Sequence, residues 1–238
     1  MSSAARADED YGDEKDDEEE VPLQFKIVIL GDGAVGKTSL VARFIEDTFS
    51  QSYKQTLGVD FHSNKVILPD GQDVTLQLWD IGGQSIGSKM LPHYISGSHA
   101  VLLAYDITNK ESFANLEEWY RVVAKTFKGQ NPVVTGLVAN KSDMMHSCEV
   151  STVEHNRFAD ENRMHSYRLS AKSGDQVHAC FTRVAALLAG VKMSGTDIAR
   201  KSRAVPATVL THQQHDPQVL GGEMPEHKRG KKSSCLVS

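Results

Sequence analysis

The sequence predicts an α/β fold, a mostly parallel six-stranded sheet with helices on both faces, and three observations predict it. Strand-like and helix-like segments alternate almost throughout residues 24–191. The strand-like segments are mainly continuous apolar runs, as in Ile27-Val28-Ile29-Leu30 and Val101-Leu102-Leu103-Ala104, which suits strands buried on both faces. Polar motifs follow the ends of these runs, where ligands sit in open α/β sheets.

The elements follow in order. Residues 1–20 carry ten acids against Arg6 and Lys15 and almost nothing to bury, so 1–21 is expected to be a disordered acidic head. Phe25, Ile27, Val28, Ile29 and Leu30 then form a strand that stops at Gly31. Gly31-Asp32-Gly33-Ala34-Val35-Gly36-Lys37-Thr38 satisfies G-x-x-x-x-G-K-[ST], the phosphate-binding loop. Its glycines let the backbone N–H groups turn inward around an anion at a helix N-terminus. Lys37 is placed to reach β- and γ-phosphate oxygens, and the Thr38 hydroxyl to ligate Mg²⁺. Leu40, Val41, Phe44 and Ile45 give the helix over about 37–47 one apolar face.

A polar stretch, 48–60, contains Phe49, Tyr53 and Thr56. Strands are expected over 59–68 and 74–80, joined through Pro69-Asp70-Gly71. In the second, Val74, Leu76 and Leu78 share one side, and the strand runs into Asp80-Ile81-Gly82-Gly83-Gln84. A strand over 100–106, one helix over 111–127 and a strand over 133–139 follow, the last ending at Asn140-Lys141-Ser142-Asp143. Ser151-Thr152-Val153-Glu154 is a capping box opening a helix to about 162. A short strand, 165–169, ends at Ser170-Ala171-Lys172, and 177–188 is the last amphipathic helix.

Charge divides the chain. Residues 21–192 hold 17 bases and 17 acids, and residues 193–238 hold seven bases against four acids. A neutral domain, 22–192, therefore sits between an acidic head and a basic flexible tail, 193–238, and a neutral core does not suit nucleic acid. The acidic opening lacks a signal-peptide pattern, and three cysteines make no disulfide framework. A cytoplasmic protein is expected. The histidines show no metal-ligand spacing.

The four motifs, in this order and spacing, resemble the Ras superfamily of small GTPases, and Thr56-Leu57-Gly58-Val59-Asp60-Phe61 with Trp79 resembles its Rab branch. Asp-Ile-Gly-Gly-Gln is shared with a divergent type within that branch. The resemblance implies a monomeric P-loop NTPase G domain that binds GTP or GDP with Mg²⁺. It implies that Lys141 covers one base face and Phe49 the other, that Asn140 braces the loops, and that the Ala171 N–H meets the base O6. Ser170 and Lys172 complete that motif. Chemistry supports guanine independently: the Asp143 carboxylate can accept two N–H bonds from guanine, and adenine has no such donor pair.

The resemblance further implies two switches. Thr56 would join Mg²⁺ and the γ-phosphate, Asp80 would hold Mg²⁺ through water, and the Gly83 N–H would bond the γ-phosphate. Gln84 would orient the attacking water, and Tyr53 would flank the phosphates. Gly82, beside Gly83, is expected to loosen this loop. Without an arginine finger in cis, hydrolysis is expected to be slow. An exchange factor, an activating protein and effectors are the implied partners.

Lys228-Arg229-Gly230-Lys231-Lys232 precedes Cys235-Leu236-Val237-Ser238, which reads as a prenylation box on Cys235. One lipid binds marginally, so the basic run is the second signal for a membrane surface. A prenyl transferase is implied, with the protein on the cytosolic face of membranes and in a soluble pool. The sequence thus points to a Rab-like switch in intracellular trafficking. The alternative is a nucleotide-binding scaffold that does not cycle; a small-molecule kinase is a third.

Overall fold

A computed structural model describes residues 23–201 and 208–210. The expected acidic head and the segment carrying Cys235 lie outside the described residues. Strand β1 (Leu23–Leu30) leads through the glycine-rich loop into helix α1 (Lys37–Glu46). Short β2 (Thr48–Ser50) precedes the hairpin of β3 (Val59–Ile67) and β4 (Asp73–Ile81). A 3₁₀ turn (Gly83–Gly87) and α2 (Leu91–Ile95) lead to β5 (Ala100–Asp106). Next come α3 (Lys110–Ala114), α4 (Leu116–Thr126), β6 (Val134–Asn140) and a second 3₁₀ turn (Ser142–Ser147). Then follow α5 (Thr152–Glu161), β7 (His165–Arg168), α6 (Val177–Ala189), α7 (Gly195–Lys201) and β8 (Thr208–Leu210).

Six strands form one sheet in the order β3-β4-β1-β5-β6-β7. Only the β3–β4 pair is antiparallel. Alternate residues of one strand feed opposite faces. Ile27 and Ile29 join Leu40, Val41, Phe44, Phe181 and Val184, the layer of α1 and α6. Val28 and Leu30 join Leu91, Ile95, Leu116, Trp119 and Ala159, the layer of α2, α4 and α5. Covering both faces is why the central strands read as unbroken apolar runs.

Parallel register aligns the strand ends. Ile29 pairs with Asp80, Leu30 with Leu103, and Asp106 with Asn140. The phosphate loop, Asp80, Asp106 and Asn140 therefore leave the sheet along one edge.

The structure departs from the sequence reading in three places. The single helix over 111–127 is two, meeting at Asn115, where the Glu118 N–H bonds the carbonyl three residues back at 3.0 Å. Helix α2 was not read at all, because Pro92 inside so short an apolar run hides it; proline is tolerated here in the first turn. Beyond residue 192, read as aperiodic tail, the chain forms α7, and β8 pairs in parallel with β2, Phe49 opposite Val209.

Candidate functional site

The phosphate loop takes its shape from contacts that a side chain would block. Gly31 has φ +135° and lies against the Ala104 carbonyl, and Gly36 has φ +95° and lies under the Asn140 amide; a Cβ at either would collide. Lys37 is 5% exposed, and its ammonium donates to the carbonyls of Gly31 and Asp32, both at 2.7 Å. Burial lowers its pKa to about 8, against the opposing fields of Asp80 and Asp32. A cation is thus already bent over the loop.

Thr38, Thr56 and Asp80 come together as the sequence expected. The Thr38 hydroxyl donates to Asp80 Oδ2 at 2.5 Å and lies 2.9 Å from the Thr56 hydroxyl. Asp80 is fully buried, its Oδ1 has no hydrogen-bond partner among the described residues, and burial raises its pKa. A buried acid with one oxygen unmatched, beside two hydroxyls, is an oxygen donor set that fits Mg²⁺.

The two loops expected to switch both close on the phosphate loop. A Cβ on Gly83 would run into the Gly33 amide nitrogen and stand 2.5 Å from the Asp32 carbonyl carbon. Tyr53 is largely exposed, with its hydroxyl 3.6 Å from where a Gly33 Cβ would stand. Gln84 is exposed in the turn that begins at Gly83. Gly82, expected to loosen this loop, also has a packing reason in the closed arrangement. Its N–H donates to the Gly58 carbonyl at 2.9 Å, and a Cβ there would stand 2.5 Å from the Thr56 carbonyl oxygen. Glycine at 82 lets the two loops meet.

The remaining motifs form the other half of the site. Asn140, 1% exposed, donates to the Val35 carbonyl at 2.8 Å and accepts from the Ala171 N–H at 3.1 Å. It braces the loops as read, while the Ala171 N–H, expected at a base oxygen, is spent on it in this arrangement. Asp143 accepts from the Ser170 hydroxyl at 2.6 Å, with the Lys172 ammonium 3.9 Å away. Ala34 and Val35 complete the loop, and the Val35 side chain is buried in the core. Phe49 is half-buried and packs against that same core layer.

Sequence reasoning missed two participants and misplaced a third. Asp106 pairs with the Lys141 ammonium at 2.6 Å, holding the side chain expected to cover a base. An acid ending a fully buried strand was the available signal. Arg43, fully buried, donates to the carbonyls of Asp47 at 2.8 Å and Lys172 at 3.3 Å, tying α1 to the Ser170–Lys172 loop; an arginine on the helix gave no cue. Asp32 was placed in the nucleotide site with the rest of the loop, but its carboxylate is held by Asn115 and Trp119.

This fold and edge define a phosphate-loop nucleotide-binding protein with a small G domain. A model of the Ras family matches residues 26–189. The chain is 40% identical over 202 residues to the Ras-related protein Rab-28 of Caenorhabditis elegans, covering 84% of this chain and 81% of that protein. The chain belongs to the Ras family, on its Rab branch, and is a small GTPase that binds guanine nucleotide and hydrolyses GTP.

Proposed function

We propose that this GTPase is a Rab-type switch acting in intracellular trafficking on the cytosolic face of membranes. The observation that carries the reading is that Thr56 and Gly83, from two different loops, both close on the phosphate loop, at Thr38 and Gly33. Loops that meet only through such short contacts can be ordered by a terminal phosphate and released by its loss. Thr38, Thr56 and, through water, Asp80 would hold Mg²⁺, which neutralises charge on the β- and γ-phosphate oxygens.

The Asp143 carboxylate reads the guanine edge, with Lys141 and Phe49 flanking the base. Gln84 orients the attacking water. Hydrolysis is slow without a partner, because the phosphate loop and the two switch stretches, residues 31–38, 48–61 and 80–90, carry no arginine to act as a finger. Effectors, an exchange factor and an activating protein read the loops around Thr56 and Gly83. No described helix is long and apolar enough to cross a membrane, and a prenyl group on Cys235 with the basic run 228–232 supplies the anchor.

Gln84→Leu is expected to hold the protein in its GTP form, read as single-turnover phosphate release slowed by about a hundredfold or more; unchanged turnover would sink the catalytic assignment. Cys235→Ser is expected to move the protein from the membrane pellet to the supernatant, and retention in the pellet would remove the lipid from the account.

A further inference from the structure

Asp32 sits inside the phosphate loop, yet both of its carboxylate oxygens are held from elsewhere. Oδ2 accepts from the Asn115 side-chain amide at 2.7 Å and Oδ1 from the Trp119 indole N–H at 2.9 Å. Trp119 is fully buried on α4, in the same core layer as Leu91 and Ile95 of α2. Asn115 is the joint between α3 and α4. The backbone of the same residue faces the site: its carbonyl accepts from Lys37 at 2.7 Å, and the Asp32–Gly33 peptide is the surface against which Gly83 lies.

We propose that Asp32 is a positioning residue which, anchored by Asn115 and Trp119, fixes the Asp32–Gly33 peptide for Gly83 and so favours a nucleoside triphosphate over the diphosphate. The inference rests on the proposed reading, in which the Gly83 N–H reaches the γ-phosphate. Two physical effects act together. A peptide held on one side by two hydrogen bonds to a carboxylate, which are stronger than neutral ones, is a rigid floor for the closing loop. The same bonds keep an anionic side chain turned to α4, whereas a released carboxylate would add like charge near the phosphates, most severely for the more highly charged nucleotide. A diphosphate does not need the Gly83 contact, so the anchor matters less to it.

The test uses the full chain and compares dissociation constants for GDP and for a β,γ-imido GTP analogue. Trp119→Phe removes the indole donor and keeps a ring in the core; Asp32→Asn keeps the shape and sets an amide N–H against one of the two donors. In Trp119→Phe the GTP analogue is expected to bind about tenfold more weakly while GDP changes by less than about twofold; in Asp32→Asn, which also removes a negative charge from the loop, the ratio of analogue to GDP affinity is expected to fall by less. Combining Asp32→Asn with Trp119→Phe should add little to either alone, because the groups act as one unit. Equal losses for the two nucleotides, or no loss in either variant, would overturn the proposal and leave the GTPase reading standing. Wild-type protein binding neither nucleotide would overturn the reading and the proposal with it.

Discussion

Asn140 shows how one side chain can set two loops. Its amide joins the Val35 carbonyl on one side and the Ala171 N–H on the other, with almost no exposure. Asn140→Ala removes both bonds and leaves a buried carbonyl and a buried N–H unmatched. The expected cost is about 2–4 kcal/mol of unfolding free energy, measured by urea denaturation; a loss under about 0.5 kcal/mol would mean that water already serves those groups. This residue was legible in the sequence because its motif is local, four residues at a strand end. Lys37, Thr38 and Asp80 were legible for the same reason. The side-chain anchors of Asp32 and the Arg43 bond to Lys172 were not, since those partners lie 83, 87 and 129 residues away and pattern alone does not reveal which way a side chain turns. The packing role of Gly82 was not legible, because the Thr56 and Gly58 carbonyls that crowd it come from another loop.

Helix α5 is fastened to the sheet through a buried polar bridge. His155 is fully buried, its Nδ1 2.9 Å from the Tyr105 hydroxyl and its Nε2 2.7 Å from the Ser166 hydroxyl. Burial, with the nearby Arg168 charge, lowers its pKa from the ordinary 6.5 to about 4. The unfolded chain therefore takes up a proton below about 6.5 that the folded chain refuses until about 4. Stability contributed by neutral His155 is complete above that window and is lost as pH falls through it, by up to about 3 kcal/mol. His155→Gln should flatten this limb of the stability–pH curve, followed by urea unfolding between pH 7 and 4. An unchanged slope would assign the acid sensitivity to other groups. The α5 start was readable from its capping box, which forms as expected, whereas the division at Asn115 was not. The helical periodicity runs straight across that joint, and the Asn115 bond to Asp32 is a tertiary contact that local propensity does not encode.

At the scale of the whole molecule, the parallel sheet does the assembling. Five strands running the same way deliver their carboxyl ends to one edge, and helices packed on both faces of the central strands hold that edge. The α/β class and the strand order of motifs were visible because buried strands and amphipathic helices differ in period. The pairing of β8 with β2 was not, because a three-residue strand carries too little pattern to separate from loop. The central claim is that this edge holds guanine nucleotide and turns GTP over. Chromatography of the nucleotide released from freshly purified, denatured protein tests it most directly. The account predicts GDP, in about equal molar amount to protein when Mg²⁺ is kept throughout. An adenine nucleotide, or no nucleotide at all, would contradict it.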